Sequence, residues 1–441
     1  MNRFVRSLST VIVGIAAFSS AAQNPITPEG RFFSDPSARV WDDGRIYIYG
    51  SRDEGTAYWC SANNDVLWSD DLRQWQIVPN VFCSRGEHDG VAATDAPLFA
   101  SDAIYINHRY YLFYCTPDRK HSEGVAESIS PTGPFVNARQ IEGPTQIDPS
   151  VLIDDDGTIY YFWGQNSLKC AQMKPDMSGL DMTTYRENIL TEKQHHFHEG
   201  VQAFKRNGIY YLSFTDNSRG RPTCIGYATA NSPFGPYTYR GVIIDNAGCD
   251  PCNWNNHGSV VEIGGQWYVF YHRSTNGQKV FRKACIEPIV FNEQGLIAEV
   301  EMTSQGVGPM LNPFVTTETR IASKLKGNVR VTTLPGGKEL LTGIHNGDAA
   351  VFRYFDFTHQ PSKLQLTVTP HGGGGINIYT DKERLHRLCQ VNIRRNGGGV
   401  GMKVTATIDA NIIVKGRIPL YFDFFGDNGG TLFDIDSFIF D

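Results

Sequence analysis

The sequence predicts an all-β protein, a five-bladed β-propeller followed by a β-sandwich domain. Tyr, Phe and Trp make up 12% of the 441 residues, an enrichment typical of strands rather than of a helix bundle. A turn followed by an aromatic, β-branched segment recurs five times before residue 305. After residue 308 that repeat stops, and Thr- and Val-rich stretches alternate between apolar and polar residues, as antiparallel strands do.

The first 22 residues read as a secretory signal peptide rather than as part of the fold. Arg3 and Arg6 precede an apolar run from Leu8 to Phe18, and the small residues Ser20, Ala21 and Ala22 end the segment. A basic start, an apolar stretch of about ten residues and a small-residue cleavage site define such a peptide. The sequence therefore predicts a secreted or periplasmic protein.

Composition excludes some classes of partner. The net charge is −6, which leaves no basic surface for a nucleic-acid backbone. No later stretch offers the roughly 18 uninterrupted apolar residues that a membrane-spanning helix needs. Nine cysteines allow a few disulfides in an oxidising compartment. Cys249 and Cys252 have no second cysteine pair at zinc-like spacing, so they form a disulfide or remain loop cysteines.

Five similar hairpins organise residues 23–308. The aligned tyrosines are 47, 111, 160, 211 and 268, with separations of 64, 49, 51 and 57 residues. Repeats of about 50 residues with several strands each are typical of propeller blades. An ordinary β-sandwich is the alternative, and five copies in order argue against it.

Three acids occupy matching places in three blades. Asp35, Asp148 and Glu199 each precede the repeat tyrosine of their blade by 12 residues. Equivalent positions near the start of an inner strand converge on a propeller axis, so we expect the three carboxyls to face one pocket. Clustered carboxyls keep one group protonated while another stays ionised, which is the pair that glycosidic hydrolysis needs. A turn role for each Asp and a calcium site are the alternatives.

At this point the sequence resembles glycoside hydrolase family 43. The resemblance rests on Ser34-Asp35-Pro36, Ile147-Asp148-Pro149, His198-Glu199-Gly200 and Asn256-His257-Gly258, one motif in each of four blades. It implies an inverting glycosidase with a five-bladed propeller. Asp35 would be the general base that activates water and Glu199 the general acid, while Asp148 would raise the pKa of Glu199 and orient it.

The resemblance implies further residues near the axis. His257 would contact the substrate or stand beside a bound calcium ion, although a lone histidine is more often a core residue. Arg273 would face the sugar or the carboxylates, with a surface salt bridge as its alternative. Trp163, Trp59 and Trp41 are candidates for stacking on a sugar, and each could instead pack between blades.

The second blade departs from the family pattern. Many relatives carry Trp-Ala-Pro-Asp where this chain has Asp95-Ala96-Pro97-Leu98. A tryptophan that helps to shape the pocket is therefore missing, and Asp102 or Asp95 could take the place of the motif's acid.

The segment 309–441 is predicted to be a β-sandwich that resembles family 6 carbohydrate-binding modules. The resemblance rests on residues 348–357 and on the ending 432–440. This domain either binds a sugar or only packs against the propeller and supports it. The resemblance also implies a structural calcium ion, and no organic cofactor is expected.

These observations predict an inverting, exo-acting α-L-arabinofuranosidase that removes arabinose from plant cell-wall polysaccharide side chains. Within the family, the segment 249–257 is most similar to enzymes of arabinose- or galactose-containing side chains. A β-xylosidase or an exo-β-1,3-galactanase is the main alternative. A retaining fructosidase-type propeller and a non-catalytic glycan-binding propeller are more remote. We expect a monomer that binds cell-wall oligo- or polysaccharide, with neither nucleic acid nor membrane insertion.

Overall fold

The computed structural model describes residues 23–395, 399–427 and 429–441. The predicted signal peptide at 1–22 lies outside the described residues. Strands account for nearly all regular structure in the described part, confirming the all-β class. One helical turn, α1 (Glu192–His195), and one 3-10 turn (Thr319–Ile321) interrupt them.

Five antiparallel sheets follow one another from residue 34 to residue 289 and form the blades of the propeller. Blade 1 comprises β1 (Ser34–Val40), β2 (Ile46–Ser51), β3 (Asn63–Ser69) and β4 (Gln76–Cys83). Blade 2 comprises β5 (Phe99–Ile106), β6 (Arg109–Cys115), β7 (Glu123–Ser128) and β8 (Val136–Gln140). Blade 3 comprises β9 (Ser150–Ile153), β10 (Ile159–Trp163), β11 (Lys169–Met173) and β12 (Leu180–Arg186). Blade 4 comprises β13 (Phe197–Arg206), β14 (Ile209–Asp216), β15 (Cys224–Ala230) and β16 (Thr238–Ile244), and blade 5 comprises β17 (Ser259–Ile263), β18 (Gln266–Arg273) and β19 (Lys283–Ile289).

The residues before β1 cover the open edge of blade 5. Ile26 donates its N–H to the carbonyl of Ala284 at 2.8 Å, and Phe33 donates to the carbonyl of Arg282 at 2.8 Å. Asn24 bonds through its side chain to both backbone groups of Ile286. The N-terminal segment thereby satisfies polar groups that a three-stranded blade would leave unpaired at its edge.

Strand register fixes which residues of different blades are equivalent. All five repeat tyrosines lie on the second strand of their blade, as predicted. Their partners on the inner strands are Arg39, Ile104, Leu152, Phe204 and Val261. Counting back four residues from these partners gives Asp35, Ala100, Asp148, Gly200 and His257 as the equivalent set.

That register corrects one step of the sequence argument. His257 lies at the position of Asp35 and Asp148, whereas Glu199 precedes the equivalent residue, Gly200, by one. The equal spacing of 12 residues between each acid and its tyrosine is misleading because the hairpins differ in length. Val40 pairs with Ile46 in blade 1, whereas Arg206 pairs with Ile209 in blade 4.

Hydrophobic side chains fill the spaces between neighbouring blades. Trp163 is 1% exposed and packs against Tyr161 and Tyr185 in the cluster shared by blades 2 and 3. It therefore cannot stack on a sugar, which corrects the sequence-based assignment. Trp41 likewise packs against Tyr49 and Tyr110 rather than facing the axis.

Two antiparallel sheets form the C-terminal β-sandwich. The six-stranded sheet contains β20 (Thr317–Glu318), β22 (Arg330–Thr333), β23 (Glu339–Thr342), β25 (Lys363–Pro370), β28 (Met402–Thr407) and β30 (Phe433–Phe440). The five-stranded sheet contains β21 (Lys324–Lys326), β24 (Ala349–Phe357), β26 (Gly374–Tyr379), β27 (Arg387–Ile393) and β29 (Gly416–Gly426). Phe352, Phe422 and Phe438 meet between the sheets with ring centroids 5.0–5.1 Å apart. The predicted boundary at residue 308 lies in the connection between β19 and β20 and stays a prediction.

All nine cysteines lie in the described part of the chain, and each is a free thiol there. Cys249 is buried while Cys252 is exposed, so this pair corresponds to the loop-cysteine alternative. The disulfides that an oxidising compartment would permit are not formed in this structure.

Candidate active site

A pocket of about 530 Å³ opens at one end of the propeller axis. Asp35, Asp148 and Glu199 all line it, as the repeat analysis predicts, and they come from three different blades. His257 and Trp59 line it as well. This volume is within the range of small-molecule sites, and the carboxyls lie toward its inner end, with Asp35 6% and Asp148 5% exposed.

Asp35 is held by donors from two blades. Arg282 donates Nη1–H to Oδ1 at 2.8 Å, and Ser51 donates its hydroxyl to Oδ2 at 2.7 Å. Burial opposes ionisation of this carboxyl, but the charge of Arg282, with smaller contributions from His257, His272 and Ser51, outweighs it. The pKa of Asp35 therefore lies well below its ordinary value, and the group is a carboxylate throughout the physiological range.

Arg282 is itself fully buried and joins Asp35 to a second carboxylate. Its Nε and Nη2 bond to Asp53 at 3.0 and 2.9 Å, which is a bidentate pair. Asp53 and Arg282 are each 2% exposed. Two carboxylates and one guanidinium thus form a rigid ionic cluster beneath the pocket.

His272 packs under Asp35 as a neutral ring. The Asp35 backbone N–H donates to Nδ1 at 3.2 Å, so the proton resides on Nε2, which faces Asn255 oxygens at 3.2 Å. Burial and then the charge of Arg282 lower the pKa of His272 to about 3. His257 approaches Asp35 from the pocket side, with Nδ1 at 3.5 Å from Oδ1, and burial lowers its pKa too.

Asp148 fixes the backbone that carries Glu199. Its Oδ2 accepts the N–H of Gly200 at 2.9 Å, the residue directly after Glu199. A side chain at Gly200 would meet the Thr215 hydroxyl at 2.5 Å and the ring of His257 at 3.0 Å, and its φ is +65°. Only glycine therefore permits this turn. Burial, followed by the charges of Glu199 and Asp35, raises the pKa of Asp148 well above its ordinary value.

Glu199 is the most solvent-accessible of the three acids, with its side chain 17% exposed. Gln165 donates Nε2–H to Oε2 at 2.7 Å, and His198 Nε2 lies 3.9 Å from the same oxygen. The carboxyl thus faces the open part of the pocket, where a leaving group would be.

Asp35 and Asp148 share an unusual backbone conformation. Their φ angles are 53° and 63°, in the left-handed region. That region is costly for residues with a side chain and is found where surrounding structure enforces it, often at functional sites. The matching strain at equivalent positions of two blades explains the two Asp-Pro-Ser motifs, because Asp tolerates this region better than most residues do.

Arg273 does not reach the pocket. Its guanidinium bonds to the Tyr271 hydroxyl and the Thr303 carbonyl, both at 2.6 Å through Nη2. Glu287 lies 3.7 Å away. Since strand side chains alternate between faces, the arginine at 273 points into the core between blade 5 and its neighbours. The arginine beside the carboxylates is Arg282, nine residues later.

The two candidates for the missing second-blade acid also lie away from the pocket. Asp95 is exposed in the loop before β5. Asp102 accepts hydrogen bonds from Ser37 and from Arg39 and joins blades 1 and 2 on the axis. The pocket residues that sequence reasoning missed are Arg282, Gln165, Arg221, Arg119, Tyr58, Phe99 and Trp254. Phe99 directly precedes Ala100, as Glu199 precedes Gly200, and is the blade-2 counterpart of Glu199. The other six lie in loops outside the aligned inner strands, so no repeat pattern marks them.

The arrangement provides the two groups that glycoside hydrolysis requires. Asp35 is a carboxylate kept ionised by an arginine, and Glu199 is a carboxyl on the open side of the same pocket. The chain matches the family model for glycosyl hydrolases family 43 over residues 22–297. This chain belongs to glycosyl hydrolase family 43.

Curated and solved family 43 proteins resemble the chain over different lengths. A xylosidase/arabinosidase of Thermoclostridium stercorarium is 31% identical over 331 residues, 64% of this chain and 67% of the relative. The crystal structure of a family 43 arabinoxylan arabinofuranohydrolase from Bacillus subtilis, in complex with cellotetraose, aligns with a TM-score of 0.54 at 25% identity. That alignment covers 95% of this chain and 97% of the Bacillus subtilis protein, so it includes the C-terminal sandwich.

A second family 43 structure bears on the calcium expectation. A β-xylosidase/α-arabinofuranosidase from a compost microbial metagenome, described as a calcium-free form, aligns with a TM-score of 0.54 at 28% identity over 64% of this chain and 98% of that one. Within the described ranges, no group of three or more His, Cys, Asp or Glu side chains is placed to hold a metal. Near His257, the carboxylates of Asp35 and Asp102 are already engaged by Arg282 and Arg39. These side chains do not fit a calcium ion, which prefers six to eight oxygen ligands.

No helix in the part of the chain that the structure describes has the length and apolarity to span a membrane.

Proposed function

We propose that this family 43 enzyme is an inverting, exo-acting α-L-arabinofuranosidase that removes arabinose from side chains of plant cell-wall polysaccharides. The observation that carries the proposal is the placement of Asp35, Asp148 and Glu199 around one pocket with opposite pKa shifts for Asp35 and Asp148. Asp35 is the general base, Glu199 the general acid and Asp148 a positioning residue.

Asp35 activates the attacking water because its carboxylate is ionised and fixed. Arg282 and Ser51 each take one of its oxygens, which limits rotation of the group. A fixed base near its productive geometry lowers the entropic part of the barrier. Glu199 protonates the departing oxygen from the open side, and Gln165 aligns its carboxyl. Asp148 holds the Gly200 N–H and thereby sets the direction of Glu199.

The surface around the pocket supports a branched substrate. A second groove of about 570 Å³ shares Pro117, Arg119, Ile147 and Gln165 with the first pocket. One sugar would occupy the deep pocket while the chain that carries it follows the groove. Solved relatives include an arabinoxylan arabinofuranohydrolase whose alignment spans both parts of this chain, which supports arabinose as the sugar released.

β-Xylosidase activity is the second candidate, because the Thermoclostridium stercorarium relative is a xylosidase/arabinosidase. An exo-β-1,3-galactanase is the other main alternative. The proposal further places the enzyme outside the cytoplasm, as a monomer. The resemblance of residues 309–441 to a family 6 carbohydrate-binding module, and calcium binding there, stay predictions.

The test is a product analysis on wheat arabinoxylan, sugar-beet arabinan, xylobiose and a β-1,3-galactan. We expect arabinose from the first two and little sugar from the others. Xylose from xylobiose at a higher kcat/KM than arabinose release would contradict the assignment and favour the β-xylosidase. Release of nothing from any of the four by folded protein would exclude the proposed function.

A further inference from the structure

The pocket mouth carries three cationic side chains with no carboxylate partner. Arg119 and Arg221 line the pocket, and Lys279 lies 4.8 Å above the ring of Trp59, which also lines it. Within the described residues, none of the three forms an ion pair with an Asp or Glu. Asp118, next to Arg119, is engaged by His121 at 3.0 Å instead. In a protein of net charge −6, this concentration of unpaired positive charge is a local feature of the site.

Arg221 is the most strongly oriented of the three. Its guanidinium lies 5.1 Å from the ring centroid of Trp254, which is 46% exposed. Its Nη2 donates to His198 Nε2 at 2.8 Å. A guanidinium has no acceptor capacity, so His198 carries its proton on Nδ1 and donates it to Glu192 Oε1 at 3.3 Å.

The hydrogen bond to His198 leaves most of the N–H donors of Arg221 free. A neutral imidazole takes one of its five N–H donors. The Glu192 carboxylate contacts the far side of the His198 ring and not the guanidinium itself. By contrast, Arg282 in the same pocket is matched by two carboxylates. Arg221 is therefore held in place by His198 and Trp254 without a direct carboxylate contact, which leaves its remaining donors available for an anion.

The position of Arg221 indicates that an anion bound there belongs to the leaving group of the substrate. His198 links Arg221 to Glu199, with His198 Nε2 3.9 Å from Glu199 Oε2. The glycosidic oxygen that Glu199 protonates belongs to the leaving group, so a sugar unit beside that oxygen would lie next to Arg221 and the half-exposed Trp254. A planar guanidinium pairs with a carboxylate through two parallel hydrogen bonds, and an aromatic face accommodates a sugar ring.

We propose that the leaving-group side of the pocket, formed by Arg221 and Trp254, binds the carboxylate of a uronic acid unit, so that the enzyme prefers acidic glycans. The inference rests on the proposed function, because Glu199 defines which side is the leaving-group side. It names the chemical class of the substrate chain and leaves the released sugar as proposed above.

The experiment compares one substrate in two chemical forms. Arabinofuranosylated glucuronoxylan oligosaccharides are used as prepared and after reduction of their uronic carboxyls to primary alcohols, which removes the charge and keeps the ring. We expect wild-type kcat/KM to be roughly tenfold higher for the acidic form at low salt, mainly through KM, since charge-assisted hydrogen bonds contribute this much. The difference in kcat/KM between the two forms should shrink in 0.5 M NaCl, because the Debye length falls to about 4 Å and exposed charges are screened.

Two variants complete the test. Arg221→Gln should bring the acidic-to-reduced ratio to about 1, because its amide keeps hydrogen bonding without the charge. Arg186→Gln is the matched control, since Arg186 also stacks on an aromatic ring, Phe234 at 5.5 Å, but lies on the outer strand of blade 3. It should leave the ratio unchanged.

A wild-type ratio near 1, or a ratio that Arg221→Gln does not alter, would overturn the inference while leaving the arabinofuranosidase intact. If neither form is hydrolysed, the proposed function fails. In that case calorimetric affinities of the two forms for wild type and Arg221→Gln still decide the carboxylate site, with equal affinities counting against it.

Discussion

Arg282 pairs with both Asp35 and Asp53, and this makes it the residue on which the chemistry of the base depends. It donates to both carboxylates at 2.8–3.0 Å from a fully buried position. Burial raises the pKa of Asp35, and the guanidinium more than reverses that effect. Without the guanidinium, the opposing effect of burial would dominate.

We predict that Arg282→Gln raises the pKa of Asp35 and moves the low-pH limb of the kcat/KM profile to higher pH. The base acts as a carboxylate, so activity is lost as pH falls through its pKa, and a higher pKa moves that loss upward. At the pH optimum, kcat/KM should fall by at least about 100-fold. Arg282→Lys, which keeps the charge, should shift the limb less.

Arg273→Gln is the control for this pH profile, because Arg273 is an equally buried arginine of blade 5 outside the pocket. Arg273→Gln should lower the melting temperature without moving the low-pH limb of the kcat/KM profile. A limb at the wild-type position in Arg282→Gln would contradict the assignment of Asp35 as the base.

The sequence identified Asp35 and Asp148 because each lies in a local motif tied to a repeat. Arg282 lies 247 residues from Asp35 in the chain, between Phe281 and Lys283, with no motif around it. The contact exists only because blade 1 and blade 5 meet where the propeller closes. Arg273 was the plausible choice from sequence, and strand alternation directs it to the other side.

At the scale of strands, one ring of hydrogen bonds joins the five inner strands around the axis. The side chain at each equivalent position bonds to the neighbouring blade. Asp102 Oδ2 accepts from Val151 N–H at 2.8 Å, Ser150 Oγ from Ala203 at 3.0 Å, Gln202 Oε1 from Val260 at 3.0 Å and Ser259 Oγ from Ala38 at 2.9 Å. The Ser37 hydroxyl donates to Asp102 Oδ1 at 2.7 Å and completes the ring.

We predict that the members of this ring contribute unequally to stability. Ser150→Ala removes one neutral acceptor and should cost about 1 kcal/mol. Asp102→Asn leaves the largely buried Arg39 without its carboxylate and should cost roughly 3 kcal/mol. Urea unfolding measures both, and equal losses for the two variants would show that the Arg39–Asp102 ion pair adds no stability beyond the neutral hydrogen bonds of the ring.

Blade number and strand order follow from the sequence because each hairpin carries its own turn and aromatic strand. The one-residue offset of Glu199 does not follow, since it depends on hairpin length and on the left-handed Gly200. Simple counting pointed to Glu199, which lines the pocket, but the strand register does not support the count itself.

For the molecule as a whole, a buried ion pair joins the propeller to the sandwich. Lys283 of β19 pairs with Glu339 of β23, and the two side chains are 0% and 1% exposed. Glu339 also accepts the N–H of Gly30 at 3.0 Å, so it contacts the segment that closes the propeller. The sandwich therefore stabilises the contact between the N-terminal segment and blade 5 that closes the propeller. We expect the propeller and the sandwich to unfold together.

We predict that Glu339→Ala lowers the free energy of unfolding by about 3–5 kcal/mol, because it leaves a buried lysine unpaired. Lys338→Ala is the matched control: its pair with Asp436 is 57% and 28% exposed and should contribute at most about 1 kcal/mol. Calorimetry should show a single transition for wild type. Two separate transitions, or equal losses of unfolding free energy in the two variants, would show that the sandwich does not stabilise the propeller.

The two-part architecture was visible in the sequence as the end of the blade repeat near residue 308. The contact between the parts was not, because Lys283 and Glu339 read as ordinary charged strand residues. Their pairing depends on how the sandwich packs on blade 5, which no pattern within either part encodes.

The central claim is that Asp35 acts as base and Glu199 as acid, and the leaving-group dependence of two variants tests it most directly. Glu199→Gln and Asp35→Asn are each assayed on 4-nitrophenyl α-L-arabinofuranoside and on arabinoxylan oligosaccharides, with circular dichroism to confirm folding. An activated phenol needs little protonation, so Glu199→Gln should keep far more of the wild-type kcat/KM on the aryl glycoside than on the oligosaccharide. Asp35→Asn should lose about 100-fold or more on both. The reverse pattern, or near-normal activity of Asp35→Asn on either substrate, would contradict the account.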